Sequence, residues 1–232
     1  MPQQVRINFA ARFEYLQAIE QHRPNVLSDL LSKTFAVYQT YLQSNSQGTA
    51  LRTLAHLSAV LQDRPSPELI DFDQALHKWA NAQGFQDAWI RDAAVQSMDR
   101  WAQGVAVGKW VYFPEELDPP KFQPSFGYWI PQYGEWADFK KVTDLIYRRA
   151  LANYRAEVRK MWGEGQMSVS ASAVWTVLWQ QGKSPAAIRQ KHFRTTGQKL
   201  SLAAIQQGVH AFAESAGVTL RKPRAGRGAK RI

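Results

Sequence analysis

At 232 residues with 45% hydrophobic content, the chain has material for one large or two small globular domains, and its lack of cysteine excludes disulfides and thiolate metal sites. Its charge is polarised: residues 140–232 hold 18 Lys or Arg against 4 Asp or Glu, while residues 1–139 hold 11 against 15. Such asymmetry predicts a nucleic-acid face joined to a part with another role, and argues against a uniformly acidic or highly apolar protein.

The first twenty residues carry neither a continuous apolar run nor a small-residue cleavage site, and no later stretch is long enough to span a bilayer. The expectation is a soluble, cytoplasmic protein with no membrane partner. Phe9, Phe13, Leu16 and Ile19 recur at helical spacing over 9–22, before Pro24. Leu27, Leu30, Leu31, Phe35, Tyr38 and Leu42 repeat the pattern over 25–43, and SNSQG at 44–48 breaks it. A third helix is predicted over 49–61. Ser66 and Pro67 then form a helix start, followed by Leu69, Phe72, Leu76 and Trp79 up to Gly84. Residues 87–104 give one more helix, with Trp89, Ala93, Ser97 and Trp101 inward. Trp79, Trp89 and Trp101 are expected to share an aromatic core, because a tryptophan buries a large area.

From Val105 to Gly134 the texture changes to five prolines among many aromatics. KWVYF at 109–113 and FGYWI at 126–130 read as short strands of a small hairpin, or as an extended wrap. Trp110, Tyr112, Phe113, Phe122, Phe126, Tyr128, Trp129 and Tyr133 would make a base-stacking platform if basic residues flanked them. Only Lys109 and Lys121 stand against Glu115, Glu116 and Asp118, so a core or protein interface is the better reading. A long basic helix is predicted over 135–161, with Phe139, Val142, Ile146, Leu151, Tyr154 and Val158 on one side. GEGQ at 163–166 is the best linker.

The last quarter carries the strongest signal. Val174, Val177 and Leu178 end at Gly182; Ser184 and Pro185 start a second helix with Ile188 inward; Gly197 supplies the corner of a turn; Ser201 caps a third helix with Ile205, Val209 and Phe212 inward. Over 169–220 this order resembles the helix-turn-helix class of DNA-binding proteins. Arg189 stands where many such units carry a small residue, and the turn is longer than the usual tight one.

The resemblance implies binding of double-stranded DNA, with the third helix in the major groove. Gln206, Gln207 and His210 would meet base edges, since glutamine pairs adenine through two hydrogen bonds. Arg189, Lys191, Arg194, Thr195, Thr196 and Lys199 would hold phosphates, with Lys183 and Ser201 among the further DNA contacts. The terminal RKPRAGRGAKRI lacks acids, has Pro and Gly throughout and reads as a disordered basic arm, adding Arg221, Lys222, Arg224, Arg227, Lys230 and Arg231.

His22, His56, His77, His192 and His210 show no metal-ligand spacing, and HExxH, Walker and GxSxG motifs are missing from the sequence. Asp71 with Asp73, and Asp87, Asp92 and Asp99, read as structural acids near helix starts rather than a two-metal centre. The expected class is therefore a non-enzymatic, cofactor-free protein. Its expected fold is mainly α: a helical domain over 1–134 including the Pro/aromatic segment 105–134, a connecting helix over 135–162, a helix-turn-helix domain over 167–220 and a tail over 221–232. The expected role is a transcriptional regulator, homodimeric or bound to a protein through its N-terminal domain. A DNA-binding subunit of a larger nucleoprotein complex, in a mobile-element or defence system, is the alternative, and RNA or single-strand binding the third reading.

Overall fold

A computed structural model describes residues 9–44, 50–113, 122, 124–125, 129–130, 132, 134–162 (side chains to 159) and 169–221. The described residues are mainly helical and include no strand. None of their helices is long and apolar enough to cross a membrane.

The chain groups into two compact units: one takes in the described residues up to 113 together with those from 169 onward, and the other lies within 115–167. In the larger unit, α1 (Phe9–His22) is buried on several sides, through Ala11, Tyr15, Leu16, Ala18 and Ile19, but also through Arg12 and Glu14. Pro24 fits the first position of α2 (Pro24–Asp29), where no amide bond is lost. A π-helical turn over Leu30–Thr34 carries that helix on into α3 (Phe35–Ser44). α4 spans Leu54–Asp63, and its start is later than the expected 49 because the Thr53 hydroxyl accepts from His56 N–H and sets the cap there.

Helix α5 (Pro67–Gln83) begins as expected, with the Ser66 hydroxyl accepting from Leu69 N–H at 3.2 Å. α6 covers Ala88–Ala102. Trp79, Trp89 and Trp101 all join one core, and each indole N–H finds a backbone carbonyl: Val26 at 3.2 Å, Gly217 at 2.9 Å and Lys109 at 2.9 Å respectively. A buried indole thus keeps its hydrogen bond while contributing its large apolar area.

Residues 109–113 form no strand, which corrects the hairpin expectation. The reason lies on α6. Gln96 accepts from Phe113 N–H at 2.6 Å and donates to Phe113 C=O at 2.9 Å, while the Ser97 hydroxyl accepts from Val111 N–H at 2.8 Å. Two side chains therefore supply the bonds that a neighbouring strand would have given, and Tyr112 is buried. Most of the expected partner, 126–130, lies outside the described residues.

Three helices complete this unit: α8 (Ala171–Gln180), α9 (Pro185–Thr196) and α10 (Leu202–Ala216). They do not stand apart as a split at 163–166 would have them, because α1 packs directly on α8 and α10. Ala173, Val177, Phe212, Ala213 and Ala216 belong to the same core as Tyr15 and Trp89. Buried polar groups reinforce the join. Arg12 donates to Ala216 C=O at 3.3 Å and to the Tyr112 hydroxyl at 2.8 Å, and its guanidinium lies 5.0 Å from the Trp89 ring. Glu14 accepts from Ser170 N–H, and Asp87 accepts from Thr219 N–H at 3.0 Å. The Asp87, Asp92 and Asp99 carboxylates accept from three different partners, Thr219, Leu54 and Gln103.

The smaller unit is built on α7 (Trp136–Trp162), the helix expected over 135–161. Phe122 packs edge-on against Tyr147 and Tyr154, and Trp136 against Trp129 and Phe139. Val142, Leu145 and Ile146 remain exposed, as do Lys140, Lys141, Arg148, Arg149, Arg155 and Arg159.

Candidate nucleic-acid interface

Helix α9 is short, and Ile188 is its only buried residue. The Ser184 hydroxyl accepts from Ala187 N–H at 3.3 Å, with Pro185 in the first turn, so the helix starts where its sequence asks it to. It ends at Gly197, whose φ of +73° a residue with a Cβ would adopt only under strain. Lys199 and Leu200 then lead to Ser201, whose hydroxyl accepts from Ala204 N–H at 3.0 Å.

On α10 the inward stripe is Ile205, Val209 and Phe212, as expected. A second close contact fixes its roll: a Cβ on Gly208 would lie 2.7 Å from the Trp175 ring, so only glycine lets α10 approach α8 this closely. The roll leaves Leu202, Ala203, Gln206, Gln207 and His210 facing solvent. By helical geometry, Ala203, Gln206, Gln207 and His210 fall on one arc of about 100°. The His210 ring rests edge-on near Trp179 at 6.0 Å, which restricts its swing. Glu214 is exposed one turn beyond His210 on the same arc, so the polar face free of acids is confined to the N-terminal half of α10.

Between Lys183 and Ala213 the sequence holds five Lys or Arg and no Asp or Glu. Lys183, Arg189, Lys191, Arg194 and Lys199 are all exposed, and among the described residues none is in a salt bridge. Lys199 lies 6.0 Å from the Phe193 ring, and Phe193 itself is 41% exposed. These side chains are cationic and solvated, a state in which they can neutralise a polyanion.

No family model, curated protein or solved structure matches this chain.

The structure divides the expected phosphate contacts into three groups. Arg189 and Arg194 extend from the solvent side of α9, with Lys183 before the helix and Lys199 after it. Lys191, Thr195 and Thr196 instead line a cavity toward α1 and α8. The Thr195 hydroxyl donates to Lys191 C=O at 3.1 Å and the Thr196 hydroxyl to His192 C=O at 2.9 Å, the back-bonding usual for a threonine within a helix. Arg221 forms the third group. It is half-buried, its N–H donates to the Gln180 side chain at 3.0 Å, and its guanidinium lies over Gly182, where a Cβ would come within 2.5 Å. Arg221 thus closes the C-terminal end of α8 rather than opening a free arm. Lys222, Arg224, Arg227, Lys230 and Arg231 lie outside the described residues.

Sequence reasoning missed Glu214 as a boundary of the face, Phe193 as an exposed ring beside Lys199, and Trp179 as the support of His210. Only Glu214 had a visible signal, as the lone acid among the residues following Glu164.

Proposed function

We propose that the protein binds double-stranded DNA with α8, α9 and α10 acting as a helix-turn-helix. In this reading α10 enters the major groove with its N-terminal half, where Gln206, Gln207 and His210 read base edges. Arg189, Arg194, Lys183 and Lys199 hold the flanking phosphates, and the tail from Lys222 to Arg231 adds non-specific affinity. The supporting observation is the conjunction of four exposed cations, Lys183, Arg189, Arg194 and Lys199, without salt bridges among the described residues, with an acid-free polar helix face ending at Glu214.

A transcriptional regulator is the role proposed. A DNA-binding subunit of a larger nucleoprotein complex is the second reading, favoured by the exposed Val142, Leu145 and Ile146 on α7, an apolar surface of the kind that protein partners cover. A regulator binds two-fold related half-sites as a dimer, whereas a complex subunit binds as a monomer and depends on partners.

Gln206→Ala with Gln207→Ala is expected to lower affinity for a selected target by roughly 30-fold or more, as about 1–3 kcal/mol is lost for each of the two base contacts. Binding to unrelated duplexes and the salt slope should stay unchanged. Competition binding at fixed salt checks this, and an equal loss on every sequence removes the two glutamines as readers.

A further inference from the structure

Between the end of α1, α8 and α9 lies a cavity of about 240 Å³. Val174, Trp175, Leu178 and Ile188 form its apolar wall. His22, Lys191 and His192 carry its ionisable groups, and no carboxylate among the described residues lines it. The His192 ring stands edge-on to Trp175 at 5.1 Å, which holds the imidazole beside the apolar wall. Lys191 has no salt-bridge partner among the described residues. His22 is held below the ordinary imidazole range, first by burial and then by the Lys191 charge. The cavity therefore combines an apolar wall with uncompensated positive potential.

We propose that this cavity is a binding site for a small monocarboxylate with one apolar or aromatic ring. The ring would lie against Trp175 and Ile188, and the carboxylate would meet Lys191, with His22 and His192 at hand as further donors. A cation is disfavoured by Lys191, and a neutral apolar molecule gains nothing from that charge. Size sets the other limit: drug-sized ligands occupy about 300–1,000 Å³, so this space suits a single ring and a short acidic arm. The site is separate from the DNA reading and stands or falls without it.

The test titrates the full chain, without nucleic acid, with phenylacetate, phenylacetamide and phenethylamine, by calorimetry and by NMR of the histidine rings. Phenylacetate is expected to bind about tenfold more tightly than phenylacetamide, the value of one partly desolvated charge contact, and phenethylamine more weakly than either. The His22 and His192 ring signals should shift with phenylacetate. Lys191→Gln, at an exposed position, should remove most of the preference for phenylacetate while leaving the phenylacetamide affinity in place. Val174→Phe, which fills the cavity, should abolish both. Equal binding of phenylacetate and phenylacetamide, no binding of any of the three, or binding that leaves both histidine signals unmoved overturns the proposal. If Val174→Phe does not fold, the Lys191→Gln comparison decides alone.

Discussion

Replacing Arg189, Arg194 and Lys199 together by glutamine is expected to weaken binding to duplex DNA roughly 100-fold near ~0.15 M salt. Each phosphate neutralised by a side chain contributes about −0.9 to the slope of log affinity against log salt, because condensed counterions are released. Loss of three contacts should flatten that slope by about 2.7, and the two effects must appear together. All three residues are exposed and free of salt bridges among the described residues, so the fold should be unaffected. Fluorescence anisotropy on a labelled duplex at several salt concentrations measures both quantities. An unchanged slope means that α9 does not touch the phosphates, whatever the affinity does.

The second large effect is on stability. Arg12→Ala is expected to destabilise the larger unit by about 3 kcal/mol, as measured by urea unfolding of the full chain. Arg12 is 5% exposed and ties α1 to the end of α10 through Ala216 C=O, and to the 109–113 segment through Tyr112. Its removal takes one donor from Ala216 C=O and from the Tyr112 hydroxyl, and takes away the cation beside Trp89. Arg12→Lys should fall between the two, since an ammonium cannot donate in the guanidinium's fixed fork. A loss below about 1 kcal/mol would mean that Trp89 and Asp87, which hold Gly217 and Thr219, carry the join unaided.

Much of the helical order was legible in the sequence because it is set by local chemistry. Ser66, Ser184 and Ser201 each accept from the amide three residues on, as their positions predicted, and the Gly197 corner has positive φ. Apolar spacing likewise identified Ile205, Val209 and Phe212 as the inward stripe of α10. What local pattern could not reveal was partnership across the chain. Arg12 and Glu14 look like solvated charges in a helical repeat, yet they are buried because α8 and α10 dock over them. The Lys109 to Phe113 run has the alternation of a strand, but nothing in its own residues foretells that Gln96 and Ser97 will satisfy its backbone.

The candidate site shows the same division. Exposure of Gln206, Gln207 and His210 follows from the register of α10, so helical spacing was enough to find them. Placement of Lys191, Thr195 and Thr196 did not follow, because it depends on where His22 and Trp175 come to lie against α9. The docking of Arg221 is hidden for a related reason: its anchor, Gln180, lies 41 residues away in the chain.

The central claim is that this chain reads duplex DNA through α10, and the most direct test is selection of bound duplexes from a random pool, with affinity then followed against salt. An enriched motif, bound with a steep negative salt slope and lost on changing Gln206 and Gln207 to alanine, is the predicted result. Absence of any enriched sequence, together with an affinity for duplex DNA that does not fall as salt is raised, would contradict it.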